Sequence, residues 1–69
     1  MLGMEIVLNG QVKILAGPLS VSELVAELGF AGKRIAVERN GEIVPKSTYA
    51  QVIIAAADRL EIVVAVGGG

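Results

Sequence analysis

The sequence predicts a single α+β domain in which a mixed sheet of about five short strands packs against one helix. Several short segments alternate apolar and polar residues, two Asn-Gly pairs separate such segments, and one stretch has apolar residues at helical spacing. At 69 residues the chain has room for one domain and one small core.

The N-terminal region predicts a β-hairpin. From Met4 to Leu15 the apolar residues largely alternate, with Met4, Ile6 and Leu8 on one face. Asn9-Gly10 interrupts the run and is typical of a two-residue type I′ turn, which needs positive φ at both positions. We therefore expect a strand, a tight turn and a second strand.

A short helix is expected to follow Gly17-Pro18. Ser20-Val21-Ser22-Glu23 has the form of a capping box, in which Ser20 accepts from the backbone and Glu23 reaches back. Apolar residues then recur on one face, namely Val21, Leu24, Val25 and Leu28. Gly29 stands where a left-handed residue commonly ends a helix.

The second half predicts three more strands. Lys33 to Arg39 forms the third, and Asn40-Gly41 is a second hairpin signal leading into Glu42-Ile43-Val44, which Pro45 ends. The last strand spans Leu60 to Val66, after a turn at Asp58-Arg59.

The segment Lys46 to Ala57 has a polar start and an apolar continuation. It is predicted to form a helical turn followed by extended chain. The whole order of elements suits the β-grasp arrangement, in which the first and last strands are neighbours at the centre of a mixed sheet.

Composition argues against several function classes. Cysteine and histidine are absent, which removes thiolate nucleophiles, the usual zinc ligands and the ordinary neutral-pH proton shuttle. The six basic and seven acidic residues are interspersed, so there is no basic stripe for nucleic acid. No apolar run approaches the roughly 20 residues of a membrane span, and Met1 to Met4 lacks signal-peptide features. We expect a cytoplasmic protein with no metal site and no catalytic side chains.

Three stretches resemble the ThiS family of thiamine-biosynthesis sulfur carriers, whose fold is ubiquitin-like β-grasp. They are MEIVLNG (4–10), IAVERNGEIVPK (35–46) and DRLEIVVAVGGG (58–69). The likeness covers nearly all of Met4 to Gly69. Two positions depart from the family pattern: Ala57 stands where a glycine is common and Tyr49 where a tryptophan is frequent.

The resemblance implies a domain over residues 1–66 and a flexible glycine tail over 67–69. A ThiF-like adenylating enzyme would use ATP to join the Gly69 carboxylate to AMP, and sulfur from a cysteine-desulfurase pathway would replace the adenylate. The resulting thiocarboxylate would pass to a ThiG-like thiazole synthase. Gly67 and Gly68 would enter the partner, and the chain would be a co-substrate that binds no cofactor itself.

Other interpretations remain open from the residues. The small subunit of molybdopterin synthase shares the fold and a diglycine end, although it is usually longer and has a proline pair that this chain lacks. A ubiquitin-like binding module would tolerate residues added after Gly69, whereas a carrier needs a free carboxylate. A modifier that conjugates to lysines would use the same tail. A glycine end can also be a frayed terminus.

A surface for partners is predicted on the last strand. If Leu60, Ile62 and Val64 face the core, then Glu61, Val63 and Ala65 face outward in a row that leads to the tail. The alternative is that Val63 and Ala65 pack on a neighbouring strand or loop. A solvated surface is expected for most of the charged side chains, namely Lys33, Arg34, Arg39, Lys46, Arg59, Asp58 and the glutamates other than Glu23.

Overall fold

The computed structural model describes residues 3–65 and contains five strands and one α-helix. The elements are β1 (Met4–Leu8), β2 (Gln11–Leu15), α1 (Val21–Glu27), β3 (Ile35–Arg39), β4 (Glu42–Ile43), a 3₁₀ turn (Lys46–Thr48) and β5 (Arg59–Val64). The strands form one sheet in the order β2-β1-β5-β3-β4. β1 and β5 are parallel neighbours, and every other pair is antiparallel. The predicted α+β arrangement, with the first and last strands side by side, is confirmed.

Both predicted hairpin turns have the backbone that Asn-Gly favours. φ is 51° at Asn9 and 81° at Gly10, and it is 52° at Asn40 and 87° at Gly41. Asparagine and glycine are the residues that adopt positive φ at least cost, so the twist of these turns matches that of the flanking strands.

The helix begins and ends as its sequence predicts. Ser20 Oγ accepts from the Glu23 N–H at 3.0 Å, and the Glu23 carboxylate accepts from the Ser20 N–H at 2.8 Å, which completes the capping box. At the other end Gly29 has φ 83° and donates to Ala26 O, while Phe30 donates to Val25 O. This pair of bonds is a Schellman motif, which turns the chain out of the helix.

The core lies between α1 and one face of the sheet. Its fully buried side chains come from β1, α1, β3, β5 and the segment after the 3₁₀ turn: Ile6, Val21, Leu24, Val37, Ile54 and Leu60. Ile54 comes from the segment after the 3₁₀ turn, which is attached by the bond from Ile54 N–H to Leu19 O at 2.9 Å. The predicted helical turn is confirmed at Lys46–Thr48, but the predicted extended chain is confirmed only around Ile53, which forms a single bridge with Ser20, because residues 49–51 and 56–57 are turns.

Several predicted boundaries differ from the structure. The third strand begins at Ile35 and not at Lys33, because residues 31–33 belong to the turn after the helix. β4 ends at Ile43, although the Val44 N–H still donates to Val37 O at 2.8 Å. β5 includes Arg59, which was predicted to be in the turn, and ends at Val64; Val66 lies outside the described residues.

The sequence analysis predicted that most charged side chains form a solvated surface. This prediction is wrong for Arg39 and Asp58. Asp58 is buried, and its carboxylate lies 2.7 Å from Arg39 Nε. Arg39 lies on the side of β3 that faces the core. Asp58 comes directly before β5, at the same end of the sheet. Lys33, Arg34, Lys46 and Arg59 are exposed as expected.

The helix α1 has seven residues, and across residues 3–65 no helix has the length and apolar character needed to span a membrane.

Candidate functional site

The strand that leads to the glycine tail, β5, is held on both sides by backbone hydrogen bonds. On the β1 side, Val7 N–H donates to Asp58 O at 2.9 Å and Asn9 N–H donates to Leu60 O at 2.8 Å. On the β3 side, the pairing continues to the bond from Ala65 N–H to Arg34 O at 2.9 Å. The chain is therefore fixed in the sheet as far as Ala65.

The side chain of Asn9 extends the pairing of β1 with β5 beyond the end of β1. Its Oδ1 accepts from the Ile62 N–H at 2.8 Å, and its Nδ2 donates to Ile62 O at 3.2 Å. These two bonds replace those that another strand residue would make, so the backbone of β5 stays satisfied where β1 turns away into the hairpin. Asn9 thus has a second role besides the turn.

A polar cluster around Asp58 fixes the start of β5. The carboxylate accepts from Arg39 Nε at 2.7 Å, Asn40 Nδ2 at 3.1 Å and the Ala55 N–H at 2.9 Å, while Asn40 Oδ1 accepts from the Arg59 N–H at 2.9 Å. Burial raises the pKa of Asp58, but the bonds from Ala55, Arg39 and Asn40, together with the Arg39 charge, outweigh it and leave the pKa lowered. Asp58 is therefore a charged structural group at neutral pH.

The residue before Asp58 has an unusual backbone. Ala57 has φ 70°, which favours glycine and costs an alanine about 1–2 kcal/mol. Its N–H donates to Glu5 O at 2.7 Å, so the turn is held against β1 despite the strain. Ala57 is one of the two positions named above at which the sequence departs from the pattern that it otherwise resembles.

Glu61, Val63 and Ala65, the predicted docking residues, are all exposed in the structure. Leu60 and Ile62 alternate with them and are buried, as expected. Val63 is 61% exposed and Ala65 is exposed as well, so the alternative that they pack on a neighbouring strand or loop does not hold within residues 3–65. Glu61 lies directly opposite Glu38 in the β3–β5 register, so this face has an acidic pair next to apolar residues. Whether a partner binds there stays a prediction.

Val64 was expected to face the core, and it is 36% exposed. It pairs with Ile35 at the end of the sheet, where β1 no longer runs beside β5. The core-facing side of β5 is consequently covered only as far as Ile62. Gly67, Gly68 and Gly69 lie outside the described residues, so the predicted tail is not part of this geometry.

An open groove of about 520 Å³ lies beside the last described residues of β5. It is lined by residues of α1, the segment after it, the start of β3, the region of the 3₁₀ turn and the end of β5: Ser22, Val25, Ala26, Phe30, Ala31, Gly32, Lys33, Arg34, Ile35, Ala36, Lys46, Tyr49, Val63 and Ala65. We call it the basic groove, because its charged lining residues are Lys33, Arg34 and Lys46.

The sequence analysis missed both the Asp58 cluster and the basic groove. A weak signal was present for the groove, since Gly29 followed by Phe30 predicts the Schellman turn that aims Phe30 back toward the helix. The Asp58 cluster has no local signal, because its two side-chain donors lie 18 and 19 residues away in sequence.

Comparison with known proteins places this geometry in a family. The ThiS family model matches residues 6–69. The thiamine biosynthesis protein ThiS from Geobacter metallireducens has a crystal structure that superposes with a TM-score of 0.82 at 29% identity, covering 96% of this chain and 100% of that one.

Two curated relatives are named thiazole synthase. The protein from Paramagnetospirillum magneticum is 48% identical over 66 residues and the one from Magnetococcus marinus is 38% identical over 66 residues. Each match covers 96% of this chain, which spans only 20% of the length of either relative. Because the family model covers nearly the whole chain and the fold agrees with a solved member, this chain belongs to the ThiS family.

Proposed function

We propose that this chain carries sulfur for thiazole formation as a thiocarboxylate on the carboxylate of Gly69. The observation on which this rests is the extent of the family match, which runs through residue 69 and so includes Gly67 and Gly68. The ThiS structure with the same fold is described as a thiamine biosynthesis protein, which favours this role over that of a molybdopterin-synthase subunit.

The glycine tail suits transfer into another enzyme. A chain end that enters a narrow active site needs a thin backbone with free φ, and glycine alone has no Cβ and tolerates positive φ. Gly67 and Gly68 would occupy the entrance, with the reacting carbonyl of Gly69 beyond them. The backbone hydrogen bonds of β5 continue as far as Ala65, which supports a model in which the folded domain binds the partner and the glycine tail enters the active site.

The chemistry requires two steps at the Gly69 carboxyl group. In the first, a carboxylate oxygen attacks the α-phosphorus of ATP in a ThiF-like adenylating enzyme, which forms an acyl adenylate and releases pyrophosphate. In the second, sulfur at the oxidation level of sulfide attacks the carbonyl carbon and AMP leaves. A cysteine-desulfurase pathway would supply that sulfur as a persulfide, and a thiol reductant would cleave the S–S bond so that the sulfur is transferred at the level of sulfide. ATP and the catalytic groups belong to the partners, so this chain is a co-substrate.

The thiazole synthase relatives support the choice of acceptor. Each contains a 66-residue segment similar to this chain within a protein about five times as long. A carrier segment and a thiazole synthase thus occur in one polypeptide in those proteins. We infer that a ThiG-like thiazole synthase accepts the sulfur of this chain.

Intact-protein mass spectrometry tests the proposal. The chain is incubated with the adenylating enzyme of its own organism, ATP and sulfide, and the C-terminal fragment is examined for replacement of one carboxyl oxygen by sulfur. We expect this change at Gly69 and its loss when ATP is omitted or when one alanine is added after Gly69. An unchanged mass with an enzyme that does form a thiocarboxylate on another carrier of the ThiS family would favour a binding module.

A further inference from the structure

The basic groove lies at the end of the domain from which the tail departs. Ala65 lines the groove and is the last described residue. Its N–H donates to the carbonyl oxygen of Arg34, another lining residue, so the point at which the tail begins is held at the groove. The four residues from 66 to 69 span at most about 14 Å when fully extended. Any protein that holds Gly69 in an active site must therefore lie close to this groove.

The apolar part of the groove is built by local structure. The Schellman bond from Phe30 N–H to Val25 O returns the chain to the helix, so that both side chains reach the groove. Ile35 follows at the start of β3, and Tyr49 comes from the end of the 3₁₀ turn. All but Val25 are half-buried, so they leave part of their apolar surface available.

The charged part of the groove has one sign. Lys33, Arg34 and Lys46 line it, all three are exposed, and no acidic residue is among the lining residues. This is not a consequence of overall composition, because the chain has a net charge of -1. Glu23 and Glu27 are on α1, but at helical spacing they lie further from the groove than Ser22 and Ala26. Glu38 and Glu61 pair on the same sheet face as the lining residues Ala36 and Val63, so the field favours anionic groups at the other end of the groove, beside Lys33, Arg34 and Lys46.

We propose that the basic groove docks the adenylating enzyme that receives the tail, by taking an apolar side chain flanked by carboxylates on that enzyme's surface. The half-buried floor accepts the apolar side chain, and the three cations pair with the carboxylates around it. The inference rests on the proposed function for the identity of the partner. The groove shares Val63 and Ala65 with the predicted docking residues of β5, and it adds the three cations and the apolar floor. A basic or purely polar partner segment would not fit this lining.

A pair of charge-reversed variants tests the proposal. Lys33→Glu/Arg34→Glu alters the groove, whereas Lys13→Glu/Arg59→Glu makes the same change of net charge at positions that do not line it. Binding to the purified adenylating enzyme is measured by titration calorimetry without ATP or sulfide, so that chemistry does not contribute. We expect the groove variant to bind on the order of tenfold more weakly than the control variant.

A neutral substitution tests the apolar part. Ala26→Gln keeps a good helix former on an exposed position and places a larger side chain in the groove. Ala56→Gln adds the same side chain in the exposed turn before β5, which does not line the groove. We expect weaker binding for the first variant only, with both retaining the circular dichroism spectrum of the original chain.

The outcomes separate this inference from the proposed function. Equal affinities of the groove and control variants would overturn the docking proposal, as would failure of the unaltered chain to bind the adenylating enzyme. Thiocarboxylate formation at saturating enzyme reports on the proposed function alone, because weaker docking raises the concentration needed without removing the Gly69 carboxylate. Stronger salt dependence of binding for the unaltered chain than for the groove variant would support the ion pairing.

Discussion

Replacing Asp58 by alanine removes the acceptor for three hydrogen bonds that join the start of β5 to the β3–β4 hairpin and to the turn before it. The donors are Arg39 Nε at 2.7 Å, Asn40 Nδ2 at 3.1 Å and the Ala55 N–H at 2.9 Å. The carboxylate has a side-chain exposure of 9%, so water replaces it poorly unless the cluster opens.

The expected loss follows from these three donors. The bonds from Asn40 and Ala55 each contribute about 1 kcal/mol, and somewhat more if the donors stay buried without a partner. Arg39 is 33% exposed and regains water when its partner is removed, so its share is under about 1 kcal/mol. We therefore expect Asp58→Ala to lower the free energy of unfolding by about 2–3 kcal/mol. In a domain of this size, this corresponds to a fall of about 10–20 °C in Tm.

Urea unfolding at pH 7, followed by far-ultraviolet circular dichroism, measures this loss, since the chain has no tryptophan. Asp58→Asn keeps one acceptor oxygen and should lose less than Asp58→Ala. Glu42→Ala is the control, because Glu42 is exposed on β4 and should change stability by less than about 0.5 kcal/mol. If the free energy of unfolding of Asp58→Ala lies within about 0.5 kcal/mol of that of the original chain, the reasoning about this cluster is refuted.

Four further predictions concern the strain, the turns, the pH dependence and the tail. Ala57→Gly should raise the free energy of unfolding in urea by about 0.5–1 kcal/mol because it relieves φ 70°, whereas Ala56→Gly should give no such gain. Asn9→Gly should lower it by about 2 kcal/mol through two lost bonds to the β5 backbone, because glycine keeps the positive φ of the turn, and an unchanged urea midpoint would contradict that role. The pKa of Asp58 is lowered in the folded state, so its ionised carboxylate contributes fully to the free energy of unfolding above the unfolded pKa of about 3.9. That contribution is lost as pH falls through the folded pKa. The difference in free energy of unfolding between the original chain and Asp58→Asn should therefore narrow in acid. Deleting Gly69 should leave the circular dichroism melt unchanged and abolish thiocarboxylate formation in the mass-spectrometric assay, and a lost melt would refute the division between domain and tail.

The elements of this fold were predictable where a short-range rule governs them. The Asn-Gly turns, the Ser20–Glu23 capping box and the Gly29 helix end all depend on residues within four positions of one another. The structure reproduces each of them, including positive φ at both residues of each turn. The order of the elements then left few ways to form one sheet, and the β-grasp arrangement is the one observed.

The candidate site was predictable only along β5 itself. Alternation placed Glu61, Val63 and Ala65 on the exposed side, and the structure agrees. The same rule failed for Val64, since alternation gives the side on which a residue lies but not whether anything covers that side.

The sequence by itself determined the local conformations and the family, because turns, caps and strand periodicity act between near neighbours and the family pattern extends along the chain. Only the tertiary structure decided the rest. The side chain of Asn9 forms hydrogen bonds with Ile62, which is 53 positions away in sequence. The carboxylate of Asp58 accepts from side chains 18 and 19 positions away. The basic groove is lined by residues of α1, β3 and β5. Such contacts depend on which segments the sheet and helix bring together, and no spacing within one segment specifies them.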